Sequence, residues 1–461
     1  MRGGGSGPRR LLDDARRFLS REECEALGRR AIGCATEGGN TRIGIDTWWS
    51  GELRWGRNRV TLGSDRRNNE IRITRDIKGA GASVATNQID DVSIRSAIRA
   101  AERALGYRPT SPEEVVDPPM SFDYLSPAIW SDQTFDLAAP ARAAAARALI
   151  EPAEAAGMLS AGYIEVRGSG RAVVRSHTPT LYASYTQAQC SMTVRDPRGT
   201  GSGWAGLSSY DWGRIDATAL ARRALQKCLA SRNPSAIEPG RYTVILEPQA
   251  VHDLVQYVVR ALDRQSAEGG SDPFARERGY SKLGLHVIDP RINIGHDPMH
   301  PDLGVVPFTL TGEPVRPVTW IEHGRLTMLA YDRTYALKEL HENLGYPNTS
   351  AYRMSGGVTS IDDMIRTTRR GLLVTRFSDI RIVDPTSILL SGVTRDGLWL
   401  IENGKISRPV KNLRFTESPL FMLDSVEQLG HPERVFSPDA PAIVPPLKAR
   451  DFSFTATIDA I

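Results

Sequence analysis

Apolar and polar positions alternate with two different periods along this chain, and the changes of period divide it. Ser20 followed by Glu23 forms the pattern of a capping box, which predicts a helix over about residues 21–35. Four strand-like runs come next, TRIGIDTWW, GELRWG, NRVTLG and NEIRITRD, rich in β-branched and aromatic residues and separated by Gly and Asn. Ile94, Ala97, Ile98, Ala101 and Leu105 then recur at helical spacing on one face. After YRPTSPEEVVDPPM, with four prolines in fourteen residues, the same order returns. PARAAAARALIEPAEAAG predicts a helix, and GYIEVRGSGRAVVRS predicts a hairpin turning at Gly168 to Gly170. LYASYTQAQCSMTVRD predicts a further strand, and ATALARRALQKCLA a closing helix. The two units read as a loose internal repeat. The GxG in GAGASVATN and in GTGSG follows no strand, loop and helix order with a lysine or spaced acid, so a turn or bulge in a sheet is expected there instead of a phosphate cradle.

From RYTVILE onward the chain is mostly strands and turns, with His-Gly in VTWIEHGRLTML and Asn-Gly in LWLIENGKISRP marking two tight hairpins. The expected fold class is α+β: an N-terminal α/β region of two loosely repeated helix-sheet-helix units, followed by a β-rich C-terminal domain with a few helices. The expected divisions are a disordered basic tail at 1–19, an N-terminal α+β domain at 20–108, a Pro-rich linker at 109–120, a middle α+β domain at 121–236 and the β-rich domain at 237–461.

Composition narrows the function. With 40% apolar residues the chain can bury two or three cores. Its 58 Lys and Arg are scattered among 54 Asp and Glu, so the net charge of +4 predicts solvated surface and no nucleic-acid partner. Cys24, Cys34, Cys190 and Cys228 form no CxxC pair, and no apolar run approaches the ~18 residues of a membrane span. No apolar stretch follows the Gly-rich opening MRGGGSGPRR, so a cytoplasmic protein without a membrane partner is expected.

The segment AVHDLVQYVVRAL, residues 250–262, places a histidine beside a carboxylate on a helix, as zinc proteases place a ligand beside a general base. Val251, Leu254, Val255, Val258, Val259 and Leu262 form one apolar stripe, with His252 on one edge, Tyr257 on the other and Asp253 near the polar side. Side chains so far apart around a regular helix do not meet at one metal, which leaves His252 as a surface or core-edge histidine. NIGHDPMHPDLG holds His296 and His300 near Asp297 and Asp302, but Pro298 and Pro301 make it a loop, read as an Asp-Pro turn before a metal site. HENLG at His341 lacks the second histidine of HExxH and reads as a helix end capped by Gly345. Trp48, Trp49 and Trp55 are aromatic binding candidates or sheet packing.

The segment from GGVTSIDDM to SPLFML, with the preceding WIEHGRLTMLAYDRTYA, resembles the C-terminal signature of the TldD/PmbA family, and GELRWGRNRVT with GAGASVATN resembles its first domain. The resemblance implies a cytoplasmic metallopeptidase built as a heterodimer that degrades unfolded or modified peptides. In such pairs the TldD-type subunit holds zinc or iron through HExxxH and a later cysteine, and the TldE/PmbA-type subunit lacks that set. Carried onto this chain, HExxxH falls on His252, Asp253 and Tyr257: the histidine remains, and the glutamate and second histidine are gone. All four cysteines precede residue 229. The expectation is therefore a metal-site-degenerate, TldE-like subunit with no catalytic residue, metal ligand or cofactor of its own, whose TldD-like partner carries the metal. Two alternatives stay open: a diverged metal-dependent hydrolase using His252 and Asp253, and a non-enzymatic peptide-binding scaffold, with a homodimer as the assembly of the chain alone.

Overall fold

A computed structural model describes residues 17–36, 38–77, 80–107, 123–176, 178–277 and 279–458. The tail expected at 1–19 lies outside these up to residue 16, and the linker expected at 109–120 lies outside entirely. Residues 17–19 are not tail: Phe18 packs edge-on against Phe135 at 5.9 Å, and the Leu19 N–H donates to Thr47 Oγ1 at 3.1 Å.

The capping box forms as the sequence predicts. Ser20 accepts from the Glu23 N–H, Glu23 accepts from the Ser20 N–H, and the helix runs Arg21–Gly33. The four strand-like runs become two long strands, β1 (Asn40–Gly56) and β2 (Arg59–Ile77), joined only by Arg57 and Asn58 in left-handed conformation. Gly51 does not break β1, because it serves close packing: a Cβ there would collide with the Arg142 guanidinium. β3 (Ala80–Thr86) completes a meander, and the helix Asp91–Leu105 closes the unit.

The second unit repeats this plan with the helix Ala139–Ala155, β4 (Leu159–Arg175), β5 (Leu181–Arg195), β6 (Ser202–Ser209) and the helix Ala217–Ala230. The hairpin expected at Gly168 to Gly170 does not form, since β4 runs straight through, pairing Gly168 with Trp49 of β1 and Thr186 of β5. These glycines make room for rings instead: a Cβ on Gly168 would enter the Phe135 ring, and one on Gly170 would press on the Tyr182 hydroxyl and Phe18. The GxG stretches correct the turn expectation in part. GAGASVATN supplies edge strand β3, whereas GTGSG turns at Gly199 and then enters β6.

The two meanders form one antiparallel sheet in the order β3-β2-β1-β4-β5-β6, so residues 20–108 and 121–236 share a sheet across the β1 and β4 pairing. Helices of both units cover one face. Ile43 and Ile45 pack on the helices at 21–33 and 91–105, and Trp49, Leu53 and Trp55 pack in the core that holds the other two helices. Trp49 and Trp55 are thus core residues, and Trp48 on the opposite face lies under the Arg167 guanidinium at 5.2 Å.

In the C-terminal half, β7 (Gly240–Leu246) lies between strands Arg370–Asp384 and Leu447–Thr457 in a seven-stranded sheet. A second sheet of six short strands includes Ile294–His296, Tyr352–Met354, Glu433–Arg434 and Ala442–Val444. Both predicted hairpins form, with His323-Gly324 and Asn403-Gly404 left-handed at their tips. The helical turn before HENLG ends at His341, itself left-handed, so Gly345 is not its cap; a Cβ there would strike Glu313 and the Asp332 and Arg333 backbone. Among the described residues no helix is long and apolar enough to cross a membrane.

Gly203 lets the helix Ala217–Ala230 approach β6, because a Cβ would run into the Ala224 carbonyl and the Cys228 amide. Gly203→Ala should lower unfolding free energy by about 1–3 kcal/mol in urea denaturation. Gly63→Ala, where nothing lies within 4 Å of the added carbon, should stay within roughly 0.5 kcal/mol of the parent.

Candidate functional site

The helix Pro248–Arg260 starts with proline at its first position, where the missing N–H costs nothing. Four valines would be poor helix formers in isolation. Tertiary burial overrides this: Val251, Leu254, Val255, Val258 and Val259 are all at most 1% exposed in the core of the C-terminal half. The far end is held by Asn348, whose side-chain amide donates to the Val259 carbonyl at 2.6 Å. The near end is tied to the N-terminal half by Lys227, which pairs with Glu247 at 2.5 Å.

His252 is buried deeper than the core edge the helical stripe predicts. Its Nδ1 hydrogen-bonds the Tyr352 hydroxyl at 2.9 Å, the rings stack at 5.9 Å, and burial lowers its pKa to about 4. It is neutral at pH 7. Asp253 is half-buried on the side where the stripe places it, covered there by its hydrogen-bond partners. Its carboxylate accepts from Gln249 Nε2 at 3.0 Å and from the Phe377 N–H at 2.8 Å, yet burial outweighs both bonds and pushes its pKa up to about 6. Tyr257 sends its hydroxyl toward the Ile380 carbonyl at 3.5 Å. The three positions therefore have three separate sets of partners. Tyr352, Gln249 and Phe377 are the residues that sequence reasoning missed; two of them lie more than 90 positions from the helix and carry no local signal.

The loop histidines do not supply replacements. His296 ends a strand, with Nε2 at 3.2 Å from the Leu303 carbonyl and Nδ1 at 3.2 Å from Thr349 Oγ1. His300 Nδ1 accepts from the Asp302 N–H at 3.1 Å, as a turn requires. Asp297 accepts from the Met299 N–H at 2.9 Å. Burial pushes the thiols of Cys24 and Cys190 up to about 12 and that of Cys228 up to about 11, away from thiolate chemistry. Among the described residues no three His, Cys, Asp or Glu side chains stand close enough to hold a metal ion, so these residues do not fit a zinc or iron centre.

Beside the helix, a cleft of about 400 Å³ separates the polar face of the N-terminal sheet from the C-terminal half. Tyr185, Gln187 and Gln189 of β5 line one wall, and Phe308, Asn348 and Pro441 line the other. Segment 434–441 joins the cleft to the helix, since the Phe436 N–H donates to Gln249 Oε1 at 3.0 Å and Arg260 pairs with Asp439 at 3.2 Å.

Residues 239–456, the half that holds this helix, match the family described as the PmbA/TldA metallopeptidase C-terminal domain. Over those residues the chain carries the C-terminal domain of the PmbA/TldD family. No curated protein matches the sequence at a significant level. Three solved structures are similar in fold. TldE from Thermococcus kodakarensis has a TM-score of 0.79 at 17% identity, over 95% of this chain and 100% of its own. A proposed modulator of DNA gyrase from Thermotoga maritima has a TM-score of 0.81 at 16% identity, over 94% of this chain and 100% of its own. Another from Bacteroides thetaiotaomicron has a TM-score of 0.80 at 16% identity, over 94% of this chain and 98% of its own. These likenesses extend the shared fold beyond the matched domain to nearly the whole chain.

The titration of Asp253 gives a signed prediction. A carboxyl whose folded pKa lies near 6, above the ordinary aspartate value, contributes stability that is complete below about pH 4 and lost as pH rises through 6. Asp253→Asn removes that loss while sacrificing one of the two hydrogen bonds. The stability advantage of the parent over the variant should shrink by roughly 1 kcal/mol between pH 5 and pH 8 in thermal unfolding. An advantage that grows with pH would contradict the burial of this carboxyl.

Proposed function

We propose that this chain is a TldE/PmbA-like subunit without a catalytic metal, which completes a peptidase together with a TldD-like partner carrying HExxxH. The observation that carries this reading is the locked state of the motif helix. His252 is committed to Tyr352, Asp253 to Gln249 and Phe377, and Tyr257 points elsewhere, so no ligand set converges on the one retained histidine. The expected substrates are unfolded or modified peptides. The cleft between the polar sheet face and the C-terminal half supports that class, because an extended peptide laid along strands is held chiefly through backbone groups and needs little side-chain selectivity. The chain's role is to close the shared chamber, and zinc or iron belongs to the partner.

A diverged hydrolase built on His252 and Asp253 would need further ligands from the 296–302 loop, where His296 and His300 already have backbone and hydroxyl partners. A peptide-binding scaffold without a peptidase partner would keep the same fold. Elemental analysis separates the first alternative and reconstitution the second. The purified chain alone should carry well under 0.1 transition metal per chain, on the order of adventitious binding. Mixed with an HExxxH-bearing TldD-type protein, it should form a stable complex whose peptidase activity exceeds that of either subunit. His252→Gln should leave that activity within about twofold when the variant is folded, because the residue touches no reacting atom. One metal per chain, lost in His252→Gln, would overturn the proposal. Failure to associate with any such subunit would favour the scaffold.

A further inference from the structure

A second cleft, of about 580 Å³, lies on the other side of Arg434 and Asp302 from the first. Its construction is visible in strand register. Arg353 and Arg434 both pair with Ile443, one from a parallel and one from an antiparallel neighbour, so the two arginines flank Ile443 in one row of the sheet. With strands ~4.8 Å apart, their Cα atoms stand roughly 10 Å from each other. The facing wall is the helix Ala217–Ala230, which contributes Leu220 and Arg223. The floor is thus apolar, and the rim carries arginines together with Asp216, Asp302, Glu433, His300 and His431.

The arginines are not equally engaged. Asp302 holds Arg214 at 2.5 Å and Arg434 at 3.5 Å, and Arg434 also donates to Ser209 Oγ at 3.1 Å. Arg223 and Arg353 are exposed and have no hydrogen-bond or ion-pair partner among the described residues. Of the other acids at the rim, Asp216 caps the helix by accepting from the Ala219 N–H at 2.9 Å, and Glu433 is exposed to solvent. Two uncommitted guanidinium groups beside an apolar floor suit a carboxylate next to an apolar side chain, because the planar fork binds carboxylate bidentately and the floor receives the neighbouring side chain.

We propose that this cleft is a carboxylate-recognition site for peptides, in which Arg223 and Arg353 grip the carboxylate and Leu220 and Ile443 receive the adjoining apolar side chain. The peptide ligand rests on the functional reading above, but the binding site belongs to this chain alone and needs no metal or partner. The carboxylate can come from a peptide's C-terminus or from an acidic side chain.

Fluorescence anisotropy with the full chain alone tests this, using fluorescein-labelled GSGAL as free acid, GSGAL amide, and GSGEL amide. The free acid should bind at least roughly tenfold more tightly than GSGAL amide. Equal binding by GSGEL amide and the free acid assigns the carboxylate to side chains as well; binding by the free acid only assigns it to the terminus. Arg223→Gln with Arg353→Gln should erase the preference for the free acid, and neither exposed side chain is needed for folding. Identical affinity for GSGAL acid and amide, absence of binding by all three peptides at millimolar concentration, or an unchanged preference in the double variant would overturn the proposal. Because no peptidase activity is read, that failure leaves the outcome of the metal and reconstitution experiments untouched.

Discussion

The antiparallel pairing of β1 with β4 is the constraint on which the architecture depends. It runs unbroken from Arg42 opposite Arg175 to Gly56 opposite Ala161. Without it each unit would be a three-stranded meander exposing a long edge of unpaired backbone groups. With it, two similar units become one six-stranded sheet, and the alternation of side chains assigns every strand a helix-covered face and a polar face. The polar face carries Asp46 paired with Arg171 at 2.7 Å and fronts the first cleft, whose lining includes Arg171. Gly51, Gly162, Gly168 and Gly170 lie along it because neighbours packed on these strands, Arg142, Trp55, Phe135, Phe18 and Tyr182 among them, fill the space a Cβ would need.

The clefts also depend on how firmly the two halves are joined. Arg376 pairs with the buried Asp396 at 2.6 Å, while Ser202 of β6 donates to the same carboxylate and Trp204 of β6 lies 4.8 Å from the Arg376 guanidinium. A buried ion pair is weak evidence of added stability, since desolvation offsets attraction. Its effect here is geometric: the fully buried Asp396 would be stranded without Arg376 and Ser202, so β6 and the C-terminal sheet hold one relative position. Lys227 and Glu247 make a second tie at the start of the motif helix. The helix is thereby anchored at both ends and packed along its length, which leaves His252 neutral in the core and gives Asp253 no freedom to reach outward.

Local patterns determined much of this protein. The capping box at Ser20, the apolar stripes of the helices and the Asn-Gly and His-Gly hairpins depend on neighbours a few positions apart, and all are legible in the chain. The loss of the HExxxH letters at Asp253 and Tyr257 is equally local. Other features were decided by tertiary structure, because they depend on what arrives from a distance. Gly168 and Gly170 read as a turn until Phe135, Phe18 and Tyr182 are seen to occupy the space a side chain would need. His252 reads as an edge residue until Tyr352 closes over it, and the Arg353, Ile443 and Arg434 row exists only through strand register. Periodicity specifies which way a side chain faces along its own element, whereas packing specifies what it faces, and the chemistry of a site is set by the second.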